Sequence, residues 1–204
     1  MEQWFDSILQ LDEELFSFLN SLNAPILDTL MLWATNKYFW TPLYLLLIFF
    51  ISKEYKWSGI YLIVTIILVV VLANEVTSSF MKPYFQRLRP CYDSDLQETI
   101  HLIKRCGGRF GFASSHASNH FGLATIVWLL FGTRYRITAL LFPWAALIAY
   151  SRVYIGVHYP LDILVGALVG GIVGWIVFKL FKLVNGKYHW IPALRTTTKS
   201  SAYP

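Results

Sequence analysis

The stretch SRVYIGVHYPLDILVGALVGGIVGWIVFKLF, residues 151–181, joins a short polar motif to a long apolar run. The run at 161–181 has the length of about 20 residues that one helix needs to cross the hydrocarbon core of a bilayer. The motif places Arg152, His158 and Asp162 at the start of that helix. A histidine, a carboxylate four residues later and an arginine six residues earlier supply a nucleophile, an orienting acid and a charge clamp for attack on phosphorus.

The composition extends the membrane assignment to the whole chain. Of its 204 residues, 56% are hydrophobic and 14% are charged, whereas soluble domains are about 45–50% apolar. We therefore predict an all-α membrane protein with a bundle of about five transmembrane helices. The shorter runs must recruit flanking residues or lie inside the bundle. The five apolar runs are 39–51, 60–80, 118–132, 137–150 and 161–181.

Amphipathic interfacial helices are predicted to precede this bundle. From Gln3 to Leu22 the apolar residues form a helical stripe opposite an acidic face. This helix is expected either to lie along the membrane surface or to pack against the bundle. Residues 23–25 break the chain before a second short amphipathic stretch, Ile26 to Trp33. The predicted regions are an amino-terminal segment (1–36), a transmembrane domain (37–184) and a cytoplasmic tail (185–204).

Two further motifs complete the candidate site. KPYFQRLRP at 82–90 contains Lys82 and Arg89, and ASSHASNH at 113–120 contains Ser114, Ser115 and His116. With five spans, the end of the second and fourth and the start of the third and fifth lie on one side of the membrane. All three motifs fall on that side, so their side chains are expected to form one site.

The three motifs resemble the signature of the type 2 phosphatidic acid phosphatase family, integral membrane lipid phosphatases related in their sites to vanadium haloperoxidases. Two of the three motifs match in full. The first is a Lys followed after six residues by Arg-Pro, and the other is a Ser-Arg followed after five residues by His and after three more by Asp. The middle motif departs from the usual Pro-Ser-Gly-His, because this chain has Ala113-Ser114-Ser115-His116. Glycine lets a backbone approach phosphate more closely than serine does. The resemblance implies metal-free hydrolysis of a lipid phosphate or diphosphate.

Each motif residue has a predicted task. His158 attacks phosphorus, and Asp162 accepts the proton of its other ring nitrogen. His116 protonates the leaving oxygen and then activates water against the phosphohistidine. The backbone amides of Ser114 and Ser115 bind phosphate at the start of a helix, and the Ser115 side chain is expected to be dispensable. The cationic phosphate-binding residues are Lys82, Arg89 and Arg152.

Other polar residues leave alternatives open. His120 lies one turn after His116 and could pair with it on zinc, but we predict no metal and no cofactor. Glu75 is either functional or an interfacial glutamate paired with a cation. Cys91 and Cys106 bracket most of an outward loop, which is either part of the substrate entrance or ordinary surface. Two cysteines there permit a disulfide without proving one.

The charge distribution predicts the orientation. Nine Lys or Arg residues and one acid lie on the side opposite the motifs, which the positive-inside rule makes cytoplasmic. The acidic amino terminus favours a motif side that faces outward. The compact size without an evident signal leader suggests a bacterial inner-membrane enzyme, and the charges then predict that its site faces the periplasm. The nine basic residues are Lys53, Lys56, Arg134, Arg136, Lys179, Lys182, Lys187, Arg195 and Lys199.

The expected partners are the bilayer and an anionic lipid phosphate, with no nucleic acid and an oligomeric state left open. Undecaprenyl diphosphate, phosphatidylglycerol phosphate, phosphatidate and lipid A all combine an anionic head with an apolar anchor. Two alternatives remain at this point. One is a phosphotransferase that uses an acceptor other than water, and the other is a non-catalytic lipid-phosphate binder or transporter, which would not need both histidines.

Overall fold

A computed structural model describes residues 2–96 and 98–191 and is helical throughout its regular structure, with only one isolated bridge between Leu88 and Phe110. This confirms the predicted all-α membrane fold. The predicted tail residues Arg195 and Lys199 lie outside the described part. The helices are α1 (Glu2–Ser21), α2 (Pro25–Ala34), α3 (Thr41–Tyr55), α4 (Gly59–Glu75), α5 (Lys82–Phe85), α6 (Ser115–Phe131), α7 (Leu141–Tyr154) and α8 (Pro160–Tyr188).

The five predicted spans correspond to α3, α4, α6, α7 and α8. Within residues 2–96 and 98–191, three helical stretches are long and apolar enough to cross a bilayer: Thr41–Phe85, Arg136–Tyr154 and Pro160–Tyr188. The bent pair Asp6–Ser21 and Pro25–Ala34 would make a fourth if it formed one span. The first of the three contains both α3 and α4. The chain turns between the two helices at Lys56, where φ is 49°. Its two helices then pack side by side, with Gly59 against Ile51.

Helix α6 is the centre of the bundle and contacts α4, α7 and α8. It has 17 residues, fewer than a full span needs, and ten of them are buried. A short apolar helix is stable at this depth because protein surrounds it. The prediction that the shorter runs lie within a bundle is therefore confirmed for α6.

Glycines bring α8 unusually close to α6. Gly166, Gly170 and Gly174 recur every fourth residue along one face of α8, as in the small-residue stripes of packed membrane helices. A methyl group at Gly170 would overlap the carbonyl oxygen of Ser118 in α6. This approach sets the start of α6 beside the start of α8, where the predicted catalytic residues lie.

Helix α1 packs on the motif side of the bundle, which is one of its two predicted positions. Its buried face, however, is not the predicted apolar stripe. Asp12, Phe16 and Asn20 are buried, whereas the stripe residues Trp4 and Leu11 are exposed. The reason is that Asp12 and Asn20 find hydrogen-bond partners near the candidate site and Phe16 packs on Tyr159, which together fix the face of α1 that is buried.

One of the two predicted region boundaries lies between helices and the other lies inside a helix. Boundary 36/37 lies between α2 and α3, which are separate elements. Boundary 184/185 falls inside α8, which continues to Tyr188. The side chain of Asn185 exchanges hydrogen bonds with the backbone of Ile191 at 2.8 and 3.2 Å. The chain up to Ile191 is therefore folded against α8, and residues 192–204 lie outside the described part.

Candidate active site

The three motifs meet at one end of the bundle. The amide of Ser114 donates to the carbonyl oxygen of Asp162 at 2.9 Å, which ties the start of α6 to the first turn of α8. Lys82 reaches Ser115, and Arg89 reaches His158, at 2.7 and 3.2 Å. Side chains from all three motifs thus form one cluster, as the parity of the spans predicts.

His158 and Asp162 form a buried pair at the junction of α7 and α8. The His158 side chain is 2% exposed and that of Asp162 is fully buried. Nδ1 of His158 lies 3.1 Å from Oδ2 of Asp162, which also accepts the amide of Tyr159 at 3.1 Å. Burial, followed by the charges of Arg89 and Arg152, holds the pKa of His158 well below its ordinary value. Neutral His158 therefore donates Nδ1–H to Asp162 and keeps a lone pair on Nε2.

Arg89 holds that lone pair in the resting state. Its Nη1 lies 3.2 Å from Nε2 of His158 and 3.3 Å from the carbonyl oxygen of Val157. A guanidinium can only donate hydrogen bonds, so Nε2 is the acceptor. For His158 to attack a phosphorus atom, Arg89 must exchange this contact for an oxygen of the substrate.

Three buried donors of the site have no partner within residues 2–96 and 98–191. They are Nε of Arg89, Nε of Arg152 and Oγ of Ser114. All three residues are predicted to bind phosphate, but for Ser114 the predicted donor is its backbone amide, which donates to the carbonyl oxygen of Asp162 instead. A buried donor without an acceptor costs about 1–3 kcal/mol. A phosphate group offers several strong acceptors, and arginine binds it in two-pronged geometry. The donor set therefore fits a tetrahedral oxyanion.

Arg152 is positioned by the amino-terminal region as well as by α7. Its Nη1 donates to Oγ1 of Thr35 at 2.6 Å, and both side chains are buried. Thr35 caps the carboxyl end of α2. The amino-terminal segment, to which the sequence assigns no chemistry, thus orients one of the predicted phosphate-binding arginines.

Ser115 has more partners than the motif predicts. Its hydroxyl contacts Nζ of Lys82 at 2.7 Å, Oγ1 of Thr77 at 2.9 Å and Oγ of Ser78 at 2.8 Å. Thr77 and Ser78 lie in a π-helical turn, Val76–Met81, which links α4 to α5. Such turns commonly occur at functional sites. The hydroxyl holds Lys82 in place, so the expectation that this side chain is dispensable needs to be revised.

His116 lies in the first turn of α6, next to Ser115. Its ring centroid is 6.3 Å from that of His120, whose Nδ1 binds the His116 carbonyl oxygen at 2.7 Å. The other ring nitrogen of His120 lies 3.3 Å from the hydroxyl of Tyr44. Both nitrogens of His120 thus have protein partners, and its role in the structure is to support the first turns of α6.

Sequence reasoning missed Arg87, Asp12 and Gly111. Arg87 bonds to both Asp12 and Asp162. A Cβ atom at Gly111 would lie 3.0 Å from Oδ2 of Asp162, so glycine leaves room for the His158–Asp162 pair. Arg87 lies inside the first motif, which was a usable signal. No local pattern marks Asp12, which is 150 residues from Asp162.

The loop at residues 92–112 packs against this end of the bundle. Cys91 and Cys106 form a disulfide, with their Cα atoms 6.3 Å apart. The hydroxyl of Tyr92 donates to the carbonyl oxygen of Gly107 at 3.0 Å. The disulfide that the sequence permits is therefore present in the structure. Glu75 is exposed and accepts a hydrogen bond from Ser79 at 2.7 Å, which places it outside the cluster.

A buried histidine–aspartate pair, three cations and unpaired donors at one end of an apolar helical bundle define a membrane phosphatase. Residues 58–185 match the family model described as the PAP2 superfamily. This chain belongs to the type 2 phosphatidic acid phosphatase family, and it is a membrane lipid phosphatase. The resemblance stated from its motifs is thereby confirmed.

Individual relatives span most of the chain. It is 34% identical over 171 residues to the lipid A 4'-phosphatase of Bacteroides thetaiotaomicron, covering 82% of this chain and 76% of that protein. The lipid A 4'-phosphatase of Porphyromonas gingivalis is 31% identical, with coverage of 96% and 83%. The crystal structure of Aquifex aeolicus LpxE is 35% identical, with a TM-score of 0.62 and coverage of 83% and 95%.

Proposed function

We propose that this protein removes a phosphate monoester from a lipid A-type glycolipid at the periplasmic face of a bacterial inner membrane. The observation that carries the proposal is the set of unpaired donors on Arg89, Arg152 and Ser114 around His158. The choice of a lipid A-type substrate is supported by two relatives that bear that activity in their names and match 82% and 96% of the chain.

An apolar groove supports a substrate with acyl chains. It has a volume of about 350 Å³ and lies between α3, α4 and α6. His120 forms part of its wall, one turn from His116, so a chain in the groove can belong to a lipid whose headgroup reaches the site. The other lining residues include Tyr44, Leu47, Ile66, Val70 and Leu123.

Binding precedes chemistry in the proposed mechanism. Lys82, Arg89 and Arg152 bind the phosphate oxygens, and Arg89 thereby releases Nε2 of His158. Their charges are worth more in a buried site than in water, because they need no reorganisation when negative charge develops. A neighbouring phosphate dianion also favours the protonated form of His116.

The transfer then takes place in two displacements. Nε2 of His158 forms a bond to phosphorus while the bond between phosphorus and the ester oxygen of the sugar breaks, and that oxygen takes the proton of His116. Asp162 stabilises the positive charge that His158 acquires. Neutral His116 next removes a proton from water, the water oxygen binds phosphorus, and the phosphorus–nitrogen bond breaks to release inorganic phosphate.

A substrate panel tests this function. Purified protein would be given lipid A, undecaprenyl diphosphate, phosphatidylglycerol phosphate and phosphatidate, each with and without a chelator. We expect phosphate release from lipid A without dependence on metal, tandem mass spectrometry to locate the lost phosphate, and no release by His158→Ala. Preference for another lipid would overturn the substrate, and transfer to an added acceptor lipid in place of release would identify a phosphotransferase.

Binding without turnover would identify the remaining alternative. A lipid-phosphate binder or transporter would retain lipid A in the detergent complex and release no phosphate at any pH. In that case His158→Ala would bind as wild type does, whereas neutralising Arg152 would still weaken binding.

A further inference from the structure

Arg87 lies between two buried carboxylates, Asp12 and Asp162, that are 150 residues apart in the sequence. Its Nη1 donates to Oδ1 of Asp162 at 3.2 Å, and its Nη2 donates to Oδ2 of Asp12 at 2.7 Å. The side chains are 17%, 0% and 6% exposed, in the order Arg87, Asp162 and Asp12. The guanidinium also lies over the ring of Tyr159, 4.1 Å from its centroid. Arg87 is thus held on three sides.

The two oxygens of Asp162 have different tasks. Oδ2 accepts from His158 and from the amide of Tyr159, whereas Oδ1 accepts from Arg87. Neutral His158 supplies no positive charge, so a fully buried carboxylate needs another cation to remain ionised. Arg89 binds His158 instead. Within the described residues, Arg87 is the cation that hydrogen-bonds to Asp162.

Asp12 fixes the far side of Arg87. Its Oδ1 accepts the amide of Leu161, in the first turn of α8, at 2.7 Å. Helix α1 is anchored there by Phe16, whose ring lies 5.3 Å from that of Tyr159, and by Asn20, which donates to the carbonyl oxygen of Tyr154 at 2.8 Å. A displacement of α1 would therefore move Asp12, and with it Arg87.

We propose that Asp12 and Arg87 are positioning residues for the reaction: together they hold Asp162 ionised and directed at His158, so that α1 is part of the catalytic unit. This inference rests on the proposed function. Both Nη atoms of Arg87 are bound to carboxylates and Asp12 is itself an acid, so neither residue is placed to bind the phosphate. Their effect should appear in turnover and its pH dependence more than in substrate binding.

Arg87→Gln tests the proposal. In metal sites, mutating a residue that holds a ligand histidine through one intermediate partner typically lowers activity about 10- to 100-fold. Arg87 holds His158 through Asp162 in the same indirect way, so we expect a loss of kcat of that size with KM nearly unchanged. A buried carboxylate that loses its cation takes up a proton more readily. The acid limb of the kcat profile should therefore move to higher pH. The charged and titratable groups facing Asp162 in this argument are Arg87, Arg89, Lys82, Asp12 and His158.

Two further variants separate positioning from folding. Arg87→Lys keeps the positive charge. It should restore part of kcat and return the acid limb of the kcat–pH profile most of the way to its wild-type position. Arg136→Gln is the matched control, since it removes an exposed arginine on the opposite side of the bundle. If correctly folded Arg87→Gln keeps the wild-type kcat and pH profile, or if Arg87→Lys is no better than Arg87→Gln, the positioning role is overturned.

Asp12→Asn tests the contribution of α1, with Asp6→Asn on the exposed face of the same helix as control. Because Asp12 acts through Arg87, the double variant Asp12→Asn/Arg87→Gln should be little worse than Arg87→Gln alone. If the losses of kcat in the two single variants multiply in the double variant, Asp12 does not act through Arg87.

The positioning role of Arg87 can also be measured without turnover. A wild-type protein that releases no phosphate from any lipid overturns the function. The ¹⁵N signals of His158 then still report its hydrogen bond to Asp162, and they should differ between wild type and Arg87→Gln but not between wild type and Arg136→Gln. Identical signals would overturn the positioning role.

Discussion

The ammonium group of Lys82 donates to the hydroxyl of Ser115 across 2.7 Å, joining the first and second motifs by side chains alone. Lys82 stands in the short helix α5 and Ser115 begins α6. The serine stands where the family motif has glycine, so the departure supplies an acceptor that glycine lacks. Lys82 is therefore oriented toward the site before substrate arrives.

Ser115→Gly should lower kcat/KM for phosphate release by about tenfold, since a hydrogen bond to a charged group is worth about 1.5–3 kcal/mol. The loss should appear mostly in KM, because Lys82 binds phosphate. Ser118→Ala is the matched control, as its hydroxyl donates to the backbone of α4 and not to a site residue. Unchanged kcat/KM in folded Ser115→Gly would return the hydroxyl to the dispensable role that the motif alone suggests.

His158→Ala and His116→Ala should each lower phosphate release by at least about 10²–10⁴-fold, the usual contribution of a general acid–base group. Both variants should elute from size exclusion as wild type does. His189→Ala, an exposed histidine beyond the last turn of α8, serves as control. Substantial turnover in either folded variant would refute the assignment of that histidine.

A phosphohistidine should be trapped on His158 during turnover, because the two-step path places phosphate on its Nε2. Rapid quenching under conditions that spare the acid-labile bond, followed by peptide mass spectrometry, measures it. His116→Ala should increase the trapped fraction, because the second displacement needs a base. Stereochemical evidence for a single in-line displacement by water, with no adduct, would exclude His158 as nucleophile.

Gly170→Val should destabilise the bundle and reduce activity. Overpacking typically costs about 1–3 kcal/mol, and here the added group meets a backbone oxygen that cannot rotate away. Thermal unfolding in detergent should show a clear fall in Tm. Gly171→Ala is the control, since its Cβ would find Oγ1 of Thr125 at an ordinary 3.8 Å. Equal Tm values for the two variants would contradict the close packing of α6 and α8.

The motif side should be accessible from outside the cell membrane. Single cysteines at Asp95 and at Arg134 would be introduced in a variant lacking Cys91 and Cys106, and intact spheroplasts treated with an impermeant maleimide. We expect labelling at Asp95 and not at Arg134, because the basic side is predicted to be cytoplasmic. The reverse pattern would overturn both the orientation and the periplasmic role.

Sequence analysis located the spans and the motif residues because both signals are local. The apolar runs predict helices wherever the bilayer is the solvent, since a backbone in lipid must satisfy its own hydrogen bonds. Motif spacing then identified Lys82, Arg89, His116, His158 and Asp162. Their catalytic roles stay predictions, and the structure contributes the contacts that make them testable.

The role of α1 could not be predicted in the same way. Its apolar stripe is the pattern that amphipathicity detects, and yet the face that packs contains Asp12, Phe16 and Asn20. A polar residue becomes buried when it finds partners, and those of Asp12 lie 75 and 149 residues further along the chain. No periodicity within 20 residues records such partners.

The sequence by itself determined that this chain is a helical membrane protein with a phosphatase motif, because hydropathy and motif spacing are properties of neighbouring residues. Only the tertiary structure decided that Arg87 and Asp12 stand behind Asp162, that Ser115 holds Lys82, and that Thr35 orients Arg152. These contacts depend on how closely the glycine face of α8 approaches α6 and on where α1 and α2 fold back. Both follow from packing in three dimensions, where hydrogen bonds between distant residues outweigh the local pattern.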